Sequence, residues 1–267
     1  MRASIITDYN MPVKRVHFVG IGGIGVSALA GILHEQGPRV SGSDRAPSAI
    51  TKELARKGML ISHGGASAVL PTVDRVVHSL AVPLNDPTLR EARRRKIPVL
   101  SYPEAVGELT AGYFTIAVCG THGKSTITAM ISKILIENNF DPTVIVGTKL
   151  KELGNRNYRL GKKKLLVLES CEYKRAFLNY RPKVIVLQTL DPDHLDYYKN
   201  KEDVESAFLE FVSNLKNGGK AIRSFQNAKY ESRLNLKIPG RHNVRNAMLA
   251  LGAALEVGVL PDVAIGS

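Results

Sequence analysis

From residue 14 onward, short apolar runs alternate with longer stretches whose apolar positions return every three or four residues. Val16–Gly20, Arg39–Gly42, Arg75–Ser79 and Pro98–Ser101 predict strands, and Ile24–Gln36, Ala49–Lys57 and Pro87–Arg95 predict the helices between them. Alternation of this kind builds a parallel sheet with helices on its faces. Gly37, Gly58 and Gly64–Gly65 fall at the helix ends and turns that this scheme requires.

The pattern then restarts. Phe114–Cys119 predicts a strand, and Ser125–Asn138 a helix with Ile127, Met130, Ile131, Ile134 and Leu135 on one stripe. Val144–Val146, Leu165–Leu168 and Val184–Leu187 are apolar without alternation, as strands covered on both faces are. Asp203–Leu215 and Asn243–Glu256 read as helices, and Leu234–Ile238 as strand-like. The predicted organisation is two α/β domains, residues 1–106 and 107–267, with Pro103–Gly112 as the boundary segment.

Composition narrows the setting. At 44% apolar over 267 residues, the chain can bury real cores. Two cysteines, Cys119 and Cys171, make no disulfide framework, which points to a reducing cytoplasm. No apolar run reaches membrane-spanning length, and the start lacks the apolar core of a signal peptide, so no membrane partner is expected. The net charge of +13 includes basic clusters at Arg93–Lys96 and Lys162–Lys164. No aromatic residues interleave with them, so they read as solvated surface, and no nucleic-acid partner is expected.

Two glycine-rich turns carry the candidate chemistry. In "HFVGIGGIGVSALA", Gly20, Gly22 and Gly25 stand between a strand and a helix, and Asp44 of "SGSD" ends the next strand. Such a turn brings backbone N–H groups and a helix N-terminus to a diphosphate. Taken alone, it reads as a dinucleotide fingerprint and suggests a nicotinamide-dependent oxidoreductase. In "AVCGTHGKSTITAM", Gly120, Thr121, His122, Gly123, Lys124, Ser125 and Thr126 lie between another strand and helix. There Lys124 would reach the β- and γ-phosphates of a nucleoside triphosphate, and the Ser125 hydroxyl would ligate Mg²⁺. The spacing departs from GxxxxGK[ST], because Val118 stands where the first glycine belongs.

GTHGKS resembles the ATP loop of the Mur ligases, which build the peptide of bacterial cell-wall precursors. The opening segment with "SGSD" is similar to the UDP-binding domain of those members that join L-alanine to UDP-N-acetylmuramate. "LESCEYKRAFLNYRP" with "LDPDHLDYY" resembles the family's metal-binding segments, and "IPGRHNVRNAMLALGAA" its adenine-side segment.

The resemblance implies a Rossmann-like parallel-sheet domain followed by a P-loop ATPase-like central domain, using ATP and Mg²⁺. It implies catalytic roles for Lys124, Glu169 and His194, and metal ligation by Ser125, Glu169 and His194. Asn243 and Asn246 would hold the adenine side of ATP, beside Gly120–Thr126. Gly20, Gly22, Gly23, Gly25, Asp44 and Ser79 would take the UDP-sugar. Outside this resemblance, His194 is a solvent-facing loop histidine and Asn243 the start of a helix. Glu172 belongs to the acidic cluster, but Cys171 stands where many members have a second acid.

The implied reaction is ATP-dependent joining of L-alanine to the lactyl carboxylate of UDP-N-acetylmuramate through an acyl phosphate. Family members carry a third, C-terminal domain, whereas this sequence stops at "LPDVAIGS". Only ten residues separate Arg223 from Leu234, where members have several dozen. The expectation is a chain that turns over weakly or not at all on its own, with a partner chain as one candidate source of the third domain. The alternatives are a tripeptide-recycling ligase of the same sugar nucleotide and a non-catalytic nucleotide-binding fragment.

Overall fold

The computed structural model describes residues 13–64, 72–189 and 197–267. The chain divides into two compact units, Met1–Leu109 and Thr110–Ser267.

The first unit has strands β1 (Arg15–Val19), β2 (Arg39–Asp44), β3 (Leu60–His63), β4 (Arg75–His78) and β5 (Val99–Ser101). Its helices are α1 (Ile24–Gln36), α2 (Ala49–Arg56), α3 (Pro87–Arg94) and α4 (Tyr102–Ala111). The strands form one parallel sheet in the order β3-β2-β1-β4-β5. Helix α1 is apolar nearly all round and buries every residue from Val26 to Leu33, as a helix packed on a sheet face must. The ends are locally encoded. Ser48 and Thr51 form a reciprocal cap at the start of α2, and Asp86 caps α3 just before Pro87.

The sequence reading missed β3 and α4. Strand β3 is an edge strand whose Leu60 is exposed, so it carries little apolar signal. Residues Pro103–Gly112, read only as a boundary, are largely helix α4. It is tied to β4 by the buried Arg75, whose guanidinium lies 2.6 Å from Glu108.

In the second unit, strands β6 (Phe114–Cys119), β7 (Thr143–Leu150), β8 (Arg156–Arg159), β9 (Leu165–Glu169), β10 (Val184–Leu187) and β11 (Lys220–Ile222) form a second sheet. Their order is β11-β10-β6-β9-β7-β8, parallel except for the β7–β8 pair. The helices are α5 (Lys124–Glu137), α6 (Lys201–Ser213), α7 (Ala228–Glu231), α8 (Arg241–Leu255) and α9 (Pro261–Gly266), with 3₁₀ turns at Lys151–Leu153 and Tyr173–Asn179. Ile127, Ile131 and Leu135 of α5 meet Met248 and Leu251 of α8 and the β6–β9 strands in one core. The sequence reading missed the antiparallel β8, whose "RNYR" has no apolar run to betray it. Leu234–Ile238 forms no strand: Ile238 is exposed and the segment pairs with neither sheet. No helix among the described residues is long and apolar enough to cross a membrane.

His17 of β1 makes the first unit sensitive to acid. It is buried, with Nδ1 3.0 Å from Ser41 Oγ, and Nε2 has no hydrogen-bond partner among the described residues. Burial lowers its pKa to about 4, against a smaller opposing pull from Asp86. The unfolded chain takes up this proton near pH 6.5 and the folded chain only near 4. Stability should therefore fall as pH drops through that window, by about 2 kcal/mol at pH 5. Urea unfolding at pH 7 and pH 5 should show this loss, and His17→Asn should largely abolish it. An unchanged pH slope in the variant would contradict the assignment.

Candidate functional site

In the first unit, chain order reverses between β1 and β4, and the reversal opens a cleft at the carboxyl ends of the strands. The cleft, of about 390 Å³, is lined by Gly20, Gly22 and Gly23 after β1, Ser43 to Arg45 at the end of β2, and Ser79 and Ala81 to Pro83 after β4. Gly20 has φ +77° and lies against Ser79, where an added Cβ would sit 3.0 Å from the Ser79 Cβ. Gly25 faces Tyr102, and a Cβ there would come 2.7 Å from the phenol oxygen. Asp44 is drawn into the turn itself. Its Oδ2 accepts from the Gly22 N–H at 2.7 Å and its Oδ1 from the Arg45 N–H at 2.8 Å. The Ser79 Oγ accepts from the Ala81 N–H at 3.2 Å. Gly23 caps α1 with no side-chain bond, and its own N–H turns back to Gly20 O at 3.2 Å.

In the second unit, Gly120–Ser125 follows the central strand β6, flanked by β9 and β10. Thr121 N–H donates to Thr189 O at 2.8 Å, and Gly123 starts α5 in the left-handed conformation with φ +74°. Lys124 Nζ donates to Gly120 O at 2.7 Å and lies 3.0 Å from Glu172 Oε1. Ser125 Oγ donates to Glu169 Oε2 at 2.9 Å, and the same carboxylate oxygen accepts from the Gly147 N–H at 2.9 Å. A hydroxyl and a carboxylate held together in this way are two hard oxygen donors at a helix N-terminus, which suits Mg²⁺. Among the described residues there is no group of three or more His, Cys, Asp or Glu able to hold a metal. His194, the predicted imidazole ligand, lies outside the described residues.

Glu172 is buried, and its backbone is pinned: its carbonyl accepts from the Tyr198 hydroxyl at 2.6 Å and from the Arg175 N–H at 2.9 Å. Two consecutive residues there, Lys174 and Arg175, are left-handed with φ 53°. That conformation costs a non-glycine residue about 1–2 kcal/mol, so neighbouring contacts must hold it. Arg175 supplies them through Asp203 at 2.7 Å and Glu210 at 3.0 Å, both on α6. Phe177 packs on Phe208 and Phe211 of the same helix.

On the α8 side, Asn246 is buried and its Oδ1 would be 3.1 Å from a Cβ at Gly123. Asn243 is buried too, but its amide donates to Pro239 O at 2.9 Å. His122 is exposed and Thr126 half-buried. The Cys171 thiol is pushed up by loss of solvent and then by the charge of Glu172, which disfavours a thiolate nucleophile. Sequence reasoning missed Gly147, Arg175 and Tyr198. Gly147 in "VIVGTKL" was the legible signal, since a lone glycine inside a strand marks a close approach.

Two α/β units, one with a parallel and one with a mixed sheet, each carry a glycine turn at the carboxyl edge of the sheet, the layout of nucleotide-binding α/β domains. The chain belongs to the Mur ligase family: residues 15–114 match the family's catalytic domain and residues 118–232 its middle domain. It is 35% identical to the UDP-N-acetylmuramate--L-alanine ligase of Clostridium kluyveri, over 93% of this chain and 64% of that protein. That alignment runs over 295 positions, more than the 267 residues here, so the relative holds residues within it that have no counterpart in this chain. The crystal structure of the UDP-N-acetylmuramate-alanine ligase from Thermotoga maritima superposes with TM-score 0.80 at 26% identity, over 94% of this chain and 67% of that one. A UDP-N-acetylmuramate:L-alanyl-gamma-D-glutamyl-meso-diaminopimelate ligase from Neisseria meningitides has TM-score 0.85 at 22% identity, covering 95% and 97%, and shares the fold. The chain spans just under two thirds of the length of the first of these relatives.

Gly147 gives a test of the Ser125–Glu169 pair. A Cβ at this position would stand 2.7 Å from Glu169 Oε1, and the flexible carboxylate rather than the backbone would yield. Gly147→Ala is expected to cost less than about 1 kcal/mol of stability. It should nevertheless weaken the Mg²⁺-dependent part of nucleotide binding roughly tenfold, by moving one hard ligand away. Thermal melts and titrations with and without Mg²⁺ check both. Unchanged Mg²⁺ dependence would argue against the pair as the metal site.

Proposed function

We propose that the chain supplies the sugar-nucleotide and ATP sites of a ligase that joins L-alanine to the lactyl carboxylate of UDP-N-acetylmuramate. The observation that carries this reading is the Gly120–Ser125 turn, with Lys124, Ser125 and Glu169 assembled at the N-terminus of α5. Relatives of that name at 33–41% identity support the choice of amino acid and sugar nucleotide.

In this reading, Gly20–Gly23 and the start of α1 receive the diphosphate of the UDP-sugar, and Asp44, in the lining of the same cleft, holds the turn through the Gly22 N–H and meets the uridine side. Gly120, Thr121, His122, Gly123 and Thr126 surround the phosphates of ATP, and Asn246 with Asn243 lies on its adenine side. Lys124 meets the β- and γ-phosphates and counters the charge that develops as the γ-phosphoryl leaves. Ser125 and Glu169 hold Mg²⁺, with His194 contributing beyond the described residues. That ion would neutralise phosphate charge and orient the transferring group. The carboxylate attacks the γ-phosphorus and ADP leaves. The amine of L-alanine then attacks the acyl phosphate, giving the amide and inorganic phosphate. The reaction belongs to a reducing cytoplasm, where both cysteines stay free.

Calorimetry on the purified chain tests the two sites separately. UDP-N-acetylmuramate should bind and NADH should not. Lys124→Ala should weaken ATP·Mg²⁺ binding roughly 10- to 100-fold, the value of a charge-assisted contact, and leave the sugar nucleotide within about twofold. Binding of NADH in place of the UDP-sugar would overturn the assignment of the first cleft. An unchanged ATP affinity in the variant would overturn that of the second.

A further inference from the structure

The ammonium of Lys124 already has an anion. Glu172 Oε1 lies 3.0 Å away, and the two side chains are 15% and 4% exposed, so this is a largely desolvated ion pair. Glu172 does not hold that place by its own packing alone. Its carbonyl is bonded by Tyr198 and by the backbone of Arg175, within a turn where Lys174 and Arg175 are both left-handed. Arg175 in turn is forked onto Asp203 and Glu210 of α6. The contacts run without a gap from α6 through Arg175 and the strained turn to Glu172 and Lys124.

We propose that Arg175, anchored by Asp203 and Glu210, is a positioning residue that keeps Lys124 neutralised by Glu172 until nucleotide arrives together with its divalent cation. The proposal rests on the reading of Gly120–Ser125 as the ATP loop. Nucleotide alone would have to draw Lys124 away and leave a buried carboxylate beside its own phosphates, which is unfavourable on both counts. Nucleotide bound with Mg²⁺ brings positive charge for that carboxylate to face. The clamp thereby makes the loop select metal-loaded over metal-free nucleotide. Neither Asp203 nor Glu210 needs to touch the ligand for this.

The test is ADP binding to the full chain by calorimetry, once with Mg²⁺ and once with a chelator. The wild-type chain should bind weakly without the metal and gain strongly with it. Arg175→Gln should strengthen metal-free binding by roughly three- to tenfold and shrink the gain from Mg²⁺, as loss of a competing ion pair does. Asp203→Asn, a milder change that leaves Arg175 in place, should shift the same ratio in the same direction. Glu172→Gln is the direct control and should do so most. A purely structural role for Arg175 would weaken binding equally with and without Mg²⁺, accompanied by a lower melting temperature, and would overturn the proposal. So would a rise in metal-free affinity in Glu172→Gln with none in Arg175→Gln or Asp203→Asn, while leaving the ATP-loop reading intact. ADP that fails to bind wild type in either condition would overturn both readings.

Discussion

A glycine turn has few side chains of its own to keep it in shape, and here groups at the ends of neighbouring strands, carbonyls and acids alike, do the holding. In the first unit, Asp44 at the end of β2 takes the Gly22 N–H at 2.7 Å. In the second, Glu169 at the end of β9 takes the Ser125 hydroxyl and the Gly147 N–H, and Glu172 three residues on takes Lys124. Parallel pairing delivers these acids, because it brings the carboxyl ends of adjacent strands to one edge. The glycines follow from the same constraint. An added Cβ would come 2.8 Å from Asp44 Oδ2 at Gly22 and 2.7 Å from Glu169 Oε1 at Gly147.

Placing carboxylates beside phosphate sites has an electrostatic consequence. Each acid satisfies backbone or lysine groups, yet each also repels the anion the turn is built to receive. In the first unit the acid lines the cleft but spends both oxygens on backbone N–H groups. In the second, the proposed divalent cation would share the site with the acids and turn repulsion into ligation. The chain's net charge of +13 adds a field that draws anionic nucleotides toward either site.

Much of this was legible in the sequence, and the rest was hidden for physical reasons. The extents of α1, β6 and β10 follow directly from apolar periodicity, because each is packed on a core and carries an uninterrupted signal. Strand β8 and the loop at Leu234–Ile238 mislead in opposite directions: the first is polar yet paired, and the second alternates yet pairs with no strand. The two glycine turns were plain from spacing. Asp44 was placed on the ligand by the family resemblance and by analogy with dinucleotide folds, and the structure has it in the cleft lining, bonded to the turn. Gly147 and the Arg175 clamp are tertiary features, since their partners lie 22 and 28 or more residues away along the chain. Local pattern carries no trace of the Arg175 clamp and marks Gly147 only as a lone glycine inside a strand.

The central claim is that one chain holds two different phosphate ligands in two separate clefts. The most direct measurement is a titration of a non-hydrolysable ATP analogue with Mg²⁺ into the chain saturated with UDP-N-acetylmuramate. The account expects one equivalent of the ATP analogue to bind while the sugar nucleotide stays bound. Displacement of one ligand by the other would show a single shared nucleotide site and contradict it.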